Sequence, residues 1–323
     1  MTGVAFSLIG PLDVRCSGEP VVVRAGQQRS LLAALLVRAN QPVSRQTLCL
    51  AIWGERLSDH AEVTLRSYIM RLRRALGPTV SDRLSLHPAG YLLRLEEDDE
   101  LDLLRLQECV RRGRAAAQHQ DWRRSLDAAL SAGPDHVSAY ALIVEEGTRL
   151  AAKVRRGEIP APDDDVLADR YLIADDMLHA AGLAWYEVSN WAASDAARCQ
   201  HNMLYWTGGH WWGFGPGAHS HVGGTRWWNV RHPSAYAARL AEGHSPAAAR
   251  EILSPAERAM ENIMLRLRLS DGLPLADLGA AAKPEAERHL AAGHLDPSAW
   301  TAGRLALTRA GRLLADAVIR DLT

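Results

Sequence analysis

The spacing of apolar positions changes several times along the first third of the chain. Residues 5–23 alternate apolar and polar positions in short runs broken by Gly10-Pro11 and by Ser17-Gly18-Glu19-Pro20, which predicts a small antiparallel sheet. Residues 27–39 (QQRSLLAALLVRA) form an apolar helical segment that stops at Asn40 and Pro42. Ser44 then caps a second helix over 45–53, closed by Gly54. A third helix is predicted over 61–76, because Leu65, Ile69, Leu72 and Leu76 fall on one stripe at a spacing of about 3.6 residues. After Gly77-Pro78, residues 84–95 (LSLHPAGYLLRL) predict a hairpin turning at Pro88-Ala89-Gly90.

The texture differs further on. A helix over 125–132, a Gly-Pro stop, a buried strand over 136–144 and a long helix over 165–181 follow in the order of an α/β unit from a barrel or doubly wound sheet. Helices over 256–269 and 305–321, around a shorter middle helix, predict a small C-terminal helical domain. Between these parts the aromatic content rises sharply. Trp206, Trp211, Trp212, Trp227 and Trp228 are half of the chain's 10 tryptophans, and they lie among His201, His210, His219 and His221.

Composition sharpens the picture in three places. A length of 323 residues with 47% hydrophobic content favours two or more domains. No apolar run is long enough to span a bilayer and the first residues do not read as a signal peptide, so a cytoplasmic location is expected. The net charge of -1 hides an asymmetry: residues 1–120 hold 16 Arg against 13 Asp plus Glu, and the remainder is acidic. The five acids 96–100 form one run able to face away from a polyanion. Cys16, Cys49, Cys109 and Cys199 are widely separated and contain no C-x-x-C pair, so they read as small apolar residues rather than a zinc or disulfide framework.

Opposite the apolar stripe of the third helix stand Ser67, Met70, Arg71 and Arg74. An arginine-bearing face of this kind suits the major groove, where guanidinium groups chelate guanine edges or phosphates; it also suits a solvated surface helix. The tryptophan-histidine stretch suits a flat, metal-bearing ligand such as haem, which needs one imidazole for iron and aromatic walls for the ring. It equally suits an aromatic core with surface histidines. His219 and His221 alone are too few for a separate metal site.

Two resemblances extend these readings. The opening LIGPLDVR, the GQQRSLLAALLVRANQPVS block, Ala51-Ile52-Trp53-Gly54, the TLRSYIMRLRRALG helix and the PAGYLL hairpin resemble the OmpR/PhoB-type winged helix at the N-terminus of Streptomyces antibiotic regulatory proteins. That resemblance implies double-stranded DNA as partner, with Thr64, Arg66, Ser67, Arg71 and Arg74 on the reading helix and His87 and Arg94 at the wing. The segment LDLLRLQECVRRGRAAA resembles the first helix of that family's activation domain, which then breaks off.

From about residue 121, the strings DHVSAYALIVEEGT, WYEVSNWA, HNMLYW, GFGPGAHSHVGG and RWWNVRHP resemble HemW-type haem chaperones, relatives of oxygen-independent coproporphyrinogen III oxidase in the radical SAM family. The resemblance implies haem at His201, Asn202, Tyr205 and Trp206, with His201 on the iron, and a remnant of the SAM-side wall at Tyr140, Gly215, Gly217 and Ser220. The C-x-x-x-C-x-x-C triplet of radical SAM proteins is absent from the sequence, so a [4Fe-4S] cluster and SAM cleavage are not expected.

The fold expectation is a multidomain α+β chain: a winged helix-turn-helix over 1–96, a helical linker over 97–120, a truncated α/β segment of a radical SAM barrel over 121–252 and a helical domain over 253–323. Two functions remain in view. One is a sequence-specific DNA-binding regulator responsive to haem; the other is a haem-binding, chaperone-like protein without radical SAM activity. The exposed strand edges of a truncated barrel also predict a homodimer.

Overall fold

The computed structural model describes residues 3–24, 26–55, 60–119 and 121–323. The chain divides into two compact units, residues 1–132 and 133–323.

The first unit opens with the predicted sheet: β1 (Val4–Ser7), β2 (Asp13–Cys16) and β3 (Glu19–Pro20) pair antiparallel in sequence order. Val4, Phe6 and Val14 point inward at the two-residue period. Helix α1 (Gly26–Leu36) buries Leu31, Leu32, Leu35 and Leu36. Helix α2 (Arg45–Trp53) begins as expected, the Ser44 hydroxyl accepting from the Thr47 amide at 3.1 Å, and Gly54 closes it at a φ of 64°. Helix α3 (Ala61–Leu76) buries the predicted stripe of Leu65, Ile69, Leu72 and Leu76, and a short α4 (Pro78–Ser81) follows.

Strands β4 (Leu84–His87) and β5 (Gly90–Leu93) form the hairpin, and a bridge between Val43 and Tyr91 ties it to the start of α2. Gly90 permits that approach: at a φ of 146°, a Cβ would lie 1.9 Å from the Val43 carbonyl oxygen. The acidic run does not all face solvent. Asp99 turns inward and accepts from the amides of Val4 and Glu96 at 2.9 Å, with Arg83 paired to it. Burial alone would raise its pKa; these donors hold it below the usual carboxylate value.

Strand β6 (Glu100–Leu101) then joins β1 in parallel. Helix α5 (Asp102–Gln118) packs against α6 (Trp122–Leu130), which Asp121 caps. The compact unit therefore runs past residue 120, to the end of this helical pair.

In the second unit, β7 (His136–Ser138), α7 (Arg149–Arg155), α8 (Asp164–Ala180), β8 (Ala184–Glu187) and β9 (Asn190–Ala192) build the α/β part. The strand expected over 136–144 stops at Ser138, and Tyr140, Leu142 and Ile143 are exposed. The sheet is antiparallel in the order β7-β9-β8: the chain turns at Val188 and Ser189, and β9 lies between the two strands that a simple α/β crossover would have made neighbours.

Helix α9 (Gln200–Trp206) leads to a second antiparallel sheet of β10 (His219–Val222), β11 (Thr225–Asn229) and β12 (Ala247–Ile252). Helix α10 (Pro233–Ala241) lies between the last two strands in sequence.

The C-terminal part comprises α11 (Pro255–Arg266), β13 (Leu273–Pro274), α12 (Lys283–Ala291), α13 (Pro297–Thr301), β14 (Arg304–Leu305), α14 (Arg309–Leu313) and α15 (Ala315–Leu322). A capping box between Ser254 and Glu257 starts α11. The single helix expected over 305–321 is divided. Leu305 pairs with Leu273 in a two-stranded ladder, and Thr308 caps a new helix by accepting from the Gly311 amide. Leu267, Leu273, Leu295, Leu305 and Val318 form this part's core.

Candidate nucleic-acid interface and aromatic site

Burying one stripe of α3 fixes which side chains leave the protein. Ser67, Met70, Arg71 and Arg74 are exposed, as the spacing predicts, and so is Arg66. The ion pairs nearby join Arg45 to Glu62 and Arg83 to Glu96 and Asp99; among the described residues, Arg66, Arg71, Arg74 and Arg94 have no acidic partner. The Arg71 guanidinium lies 5.7 Å from the centre of the Tyr68 ring, whose hydroxyl donates to Gln27 at 2.6 Å. Such stacking orients the fork while leaving its donors outward.

Thr64 is placed differently. It is half-buried, and its hydroxyl donates back to the His60 carbonyl at 3.0 Å. At the hairpin tip, the His87 Nδ1 accepts from the Ala89 amide at 3.1 Å and so orders the turn. Arg73, which the sequence reading did not select, donates through Nε to the Leu84 carbonyl at 2.9 Å and ties the hairpin to α3. A cavity of ≈ 680 Å³ lies along this joint, lined by Met70, Arg74, Ser85 and Leu86 among others.

In the second unit, α9 sorts the haem-motif residues onto two faces. Asn202 and Trp206 turn inward; Asn202 donates to the carboxylate of Glu187, which is 1% exposed, and the Trp206 indole lies near enough to favour its charged form. Asn190 donates to the same oxygen at 2.6 Å and to the Tyr140 hydroxyl at 2.7 Å. Burial raises the Glu187 pKa, and its amide and indole donors offset only part of that rise. The sequence carries one hint of this residue, an acid inside the otherwise apolar β8.

His201 and Tyr205 face the other way. Both are exposed, with the Tyr205 hydroxyl 2.9 Å from His201 Nε2. Tyr205 stacks edge-on against Trp211 at 4.6 Å, and Trp211 lies 5.0 Å from His221.

The strand period divides the tryptophans in the same manner. His219 faces Trp228 and His221 faces Arg226 across β10 and β11, so these share one face of the sheet; Ser220 and Trp227 share the other. Trp211 bridges to His221, whereas its neighbour Trp212 packs edge-on against Trp227 at 4.9 Å. The tryptophan-rich stretch thus supplies two aromatic surfaces rather than one.

The residues expected at the SAM-side wall serve the fold here. Ser220 is fully buried and accepts from the Gly213 amide at 2.9 Å; the Gly215 amide donates to Tyr236 and that of Gly217 to Val230. These three tie one loop to the adjoining sheet and to α10, while Tyr140 belongs to the Glu187 cluster. Cys49 and Cys109 are buried, and Cys16 and Cys199 are partly so. No group of three or more His, Cys, Asp or Glu among the described residues is placed to hold a metal ion. No described helix is long and apolar enough to cross a membrane.

Comparison with known proteins finds two different likenesses in the chain. Residues 18–93 match the family described as "Transcriptional regulatory protein, C terminal". The haem chaperone HemW of Mycobacterium tuberculosis is 56% identical over 210 residues, 65% of this chain and 53% of that protein. The chain spans about half the length of the curated relatives it matches.

Among solved structures, Mycobacterium tuberculosis EmbR in complex with a low-affinity phosphopeptide aligns with 40% of this chain and 35% of its own, at 28% identity and a TM-score of 0.34. Escherichia coli coproporphyrinogen III oxidase (HemN), a radical SAM enzyme, aligns with 63% of this chain and 51% of its own, at 17% identity and a TM-score of 0.46. The chain joins a segment matching the C-terminal domain family of transcriptional regulatory proteins to a segment homologous to HemW-type haem chaperones.

Proposed function

We propose that this protein is a sequence-specific DNA-binding transcriptional regulator that reads the major groove with α3 and responds to haem at the His201 face. The observation that carries the first part is the set of arginines at 66, 71 and 74, exposed and without acidic partners among the described residues, on a helix whose other side is buried. Unpaired guanidinium groups on a rigid helix are available to base edges and phosphates at little cost in reorganisation.

Titrations on double-stranded DNA selected from a random pool, followed by fluorescence anisotropy, test the assignment. Arg71→Ala weakens binding by about 1 to 3 kcal/mol if Arg71 makes a bidentate base contact. Affinity falls steeply with added salt as condensed counterions are released. An Arg71→Ala titration identical to wild type removes α3 as the reading helix.

The second part rests on His201. Its imidazole is exposed, its hydrogen-bond partner is a hydroxyl able to rotate away, and Tyr205, Trp211 and His221 continue from it as an aromatic array. This donor set fits haem, whose iron takes a neutral imidazole and whose ring packs on aromatic side chains. Haem at this face would bias DNA affinity only through a coupling that acts equally in both directions.

A haem titration read by absorption gives a saturable Soret band that His201→Ala abolishes. The same variant leaves DNA affinity without haem unchanged. A band indifferent to His201→Ala removes the haem reading and leaves the DNA reading standing. The alternative, a haem-binding chaperone-like protein without radical SAM activity, predicts the Soret band but no selected DNA sequence. Pairing of two copies through the exposed edge of β12 is the proposed route to a homodimer, checked by sedimentation.

A further inference from the structure

The face of the β10-β11-β12 sheet that carries Trp227 is separate from the His201 face, and it has a cavity of its own. That cavity measures ≈ 680 Å³ and lies between the sheet, the loop after Trp211 and α10. Trp212 and Trp227 wall it edge to face, and Tyr236 and Leu240 of α10 supply the opposite side. Its size falls in the range that holds small organic ligands, and its walls are chiefly apolar and aromatic.

Two features point to the ligand's chemistry. Among the described residues, Arg250 is the one charged residue lining the cavity and makes no ion pair; it is exposed and sits directly across from Trp227 in the β11-β12 ladder. Its nearest acidic neighbour in sequence, Glu251, is already taken by Arg226 at 2.7 Å. The second feature is Phe214, a phenyl ring 83% exposed at the cavity's rim, on a loop fastened beneath it by Ser220 and Tyr236. An apolar ring left in water beside an aromatic cavity gains contact area when a flat ligand enters.

We infer that this cavity binds a planar aromatic carboxylate of about two fused rings, the rings lying among Trp212, Trp227 and Phe214 and the carboxylate meeting Arg250. Arginine suits the task because its planar fork matches a carboxylate with two parallel hydrogen bonds. The site is distinct from the proposed haem face, since adjacent residues of one strand project to opposite sides of a sheet.

The full chain is titrated by calorimetry with 2-naphthoate and, separately, with the uncharged 2-naphthylmethanol. Saturable binding of 2-naphthoate is expected. Arg250→Gln weakens it at least tenfold while leaving the alcohol's weaker binding unchanged, and Trp212→Ala weakens both. His201→Ala leaves both unchanged. Arg250 and Trp212 are largely exposed, so both variants retain the fold, which circular dichroism verifies. Absence of saturable binding, an equal effect of Arg250→Gln on acid and alcohol, or loss of naphthoate binding in His201→Ala overturns the assignment.

Discussion

Asp175 on α8 accepts from Arg312 in two bonds, of 3.0 and 2.8 Å, and from the Trp191 indole at 2.8 Å, with Arg309 at 3.1 Å. One carboxylate thus fastens α14 to α8 and to the central strand β9. The Arg312 side chain is 11% exposed and stacks on Trp185 at 4.5 Å and Tyr171 at 5.6 Å, so losing its acid strands a cation between aromatic faces. Breaking a buried pair from one side costs about 3 to 5 kcal/mol; the residual exposure of both partners places Asp175→Asn near the lower end, about 3 kcal/mol. For a unit of this size, that lowers the melting temperature by roughly 6 to 12 °C. Thermal unfolding with Asp175→Asn, Arg312→Leu and the double variant measures it. The double variant is expected to lose less than the two singles combined, because it leaves no orphaned charge. Additive losses, or an Asp175→Asn variant within about 0.5 kcal/mol of wild type, would refute the argument.

Two further substitutions probe the sites. Glu187→Ala removes the acceptor shared by Asn190 and Asn202 and should cost about 2 to 4 kcal/mol, with amide chemical shifts of α9 moving while those of α12 and α15 stay fixed. Gly90→Ala drives a Cβ into the Val43 carbonyl at a positive φ and should cost more than about 2 kcal/mol, read as a lower unfolding midpoint for the first unit; a neutral Gly90→Ala would mean the hairpin does not dock on the start of α2.

Helices α2 and α3 were legible because their determinants are local: Ser44, Gly54 and a stripe of leucines specify boundaries and faces within a few residues. The same holds for the hairpin around Pro88-Ala89. What the sequence hid depends on partners far along the chain. Asp99 looks like one more charge in an acidic run until Val4 and Arg83 are brought to it. Leu305 reads as the start of a helix until Leu273 offers a strand. Likewise, HNMLYW resembles one binding motif, but whether its members face a ligand or Glu187 depends on how α9 sits on β8. The five tryptophans could be divided between two faces only once the register of β10 on β11 was known.

The two buried carboxylates of the second unit carry opposite pH signatures, and the reason lies in their donors. Asp175 meets guanidinium groups, so although burial alone would raise its pKa, the bonds from Arg312 and Trp191 prevail and lower it. Its contribution is fully present above the unfolded value near pH 4 and is lost as the pH falls through the lower folded value. Glu187 meets amides and an indole, which carry no charge, and with only a weaker pull from His136 added, burial prevails. There the folded state holds its proton more tightly than the unfolded chain. Stability is therefore greatest below the unfolded value and declines as the pH rises from about 4.3 through the raised folded value. Mild acid thus strengthens the anchor of α9 before it weakens that of α14. Above about pH 4.3, Asp175→Asn should keep the wild-type decline with rising pH, because the Asp175 contribution is constant there, whereas Glu187→Gln should lose that decline. Parallel slopes in the two variants would mean that charged and neutral donors do not set the difference.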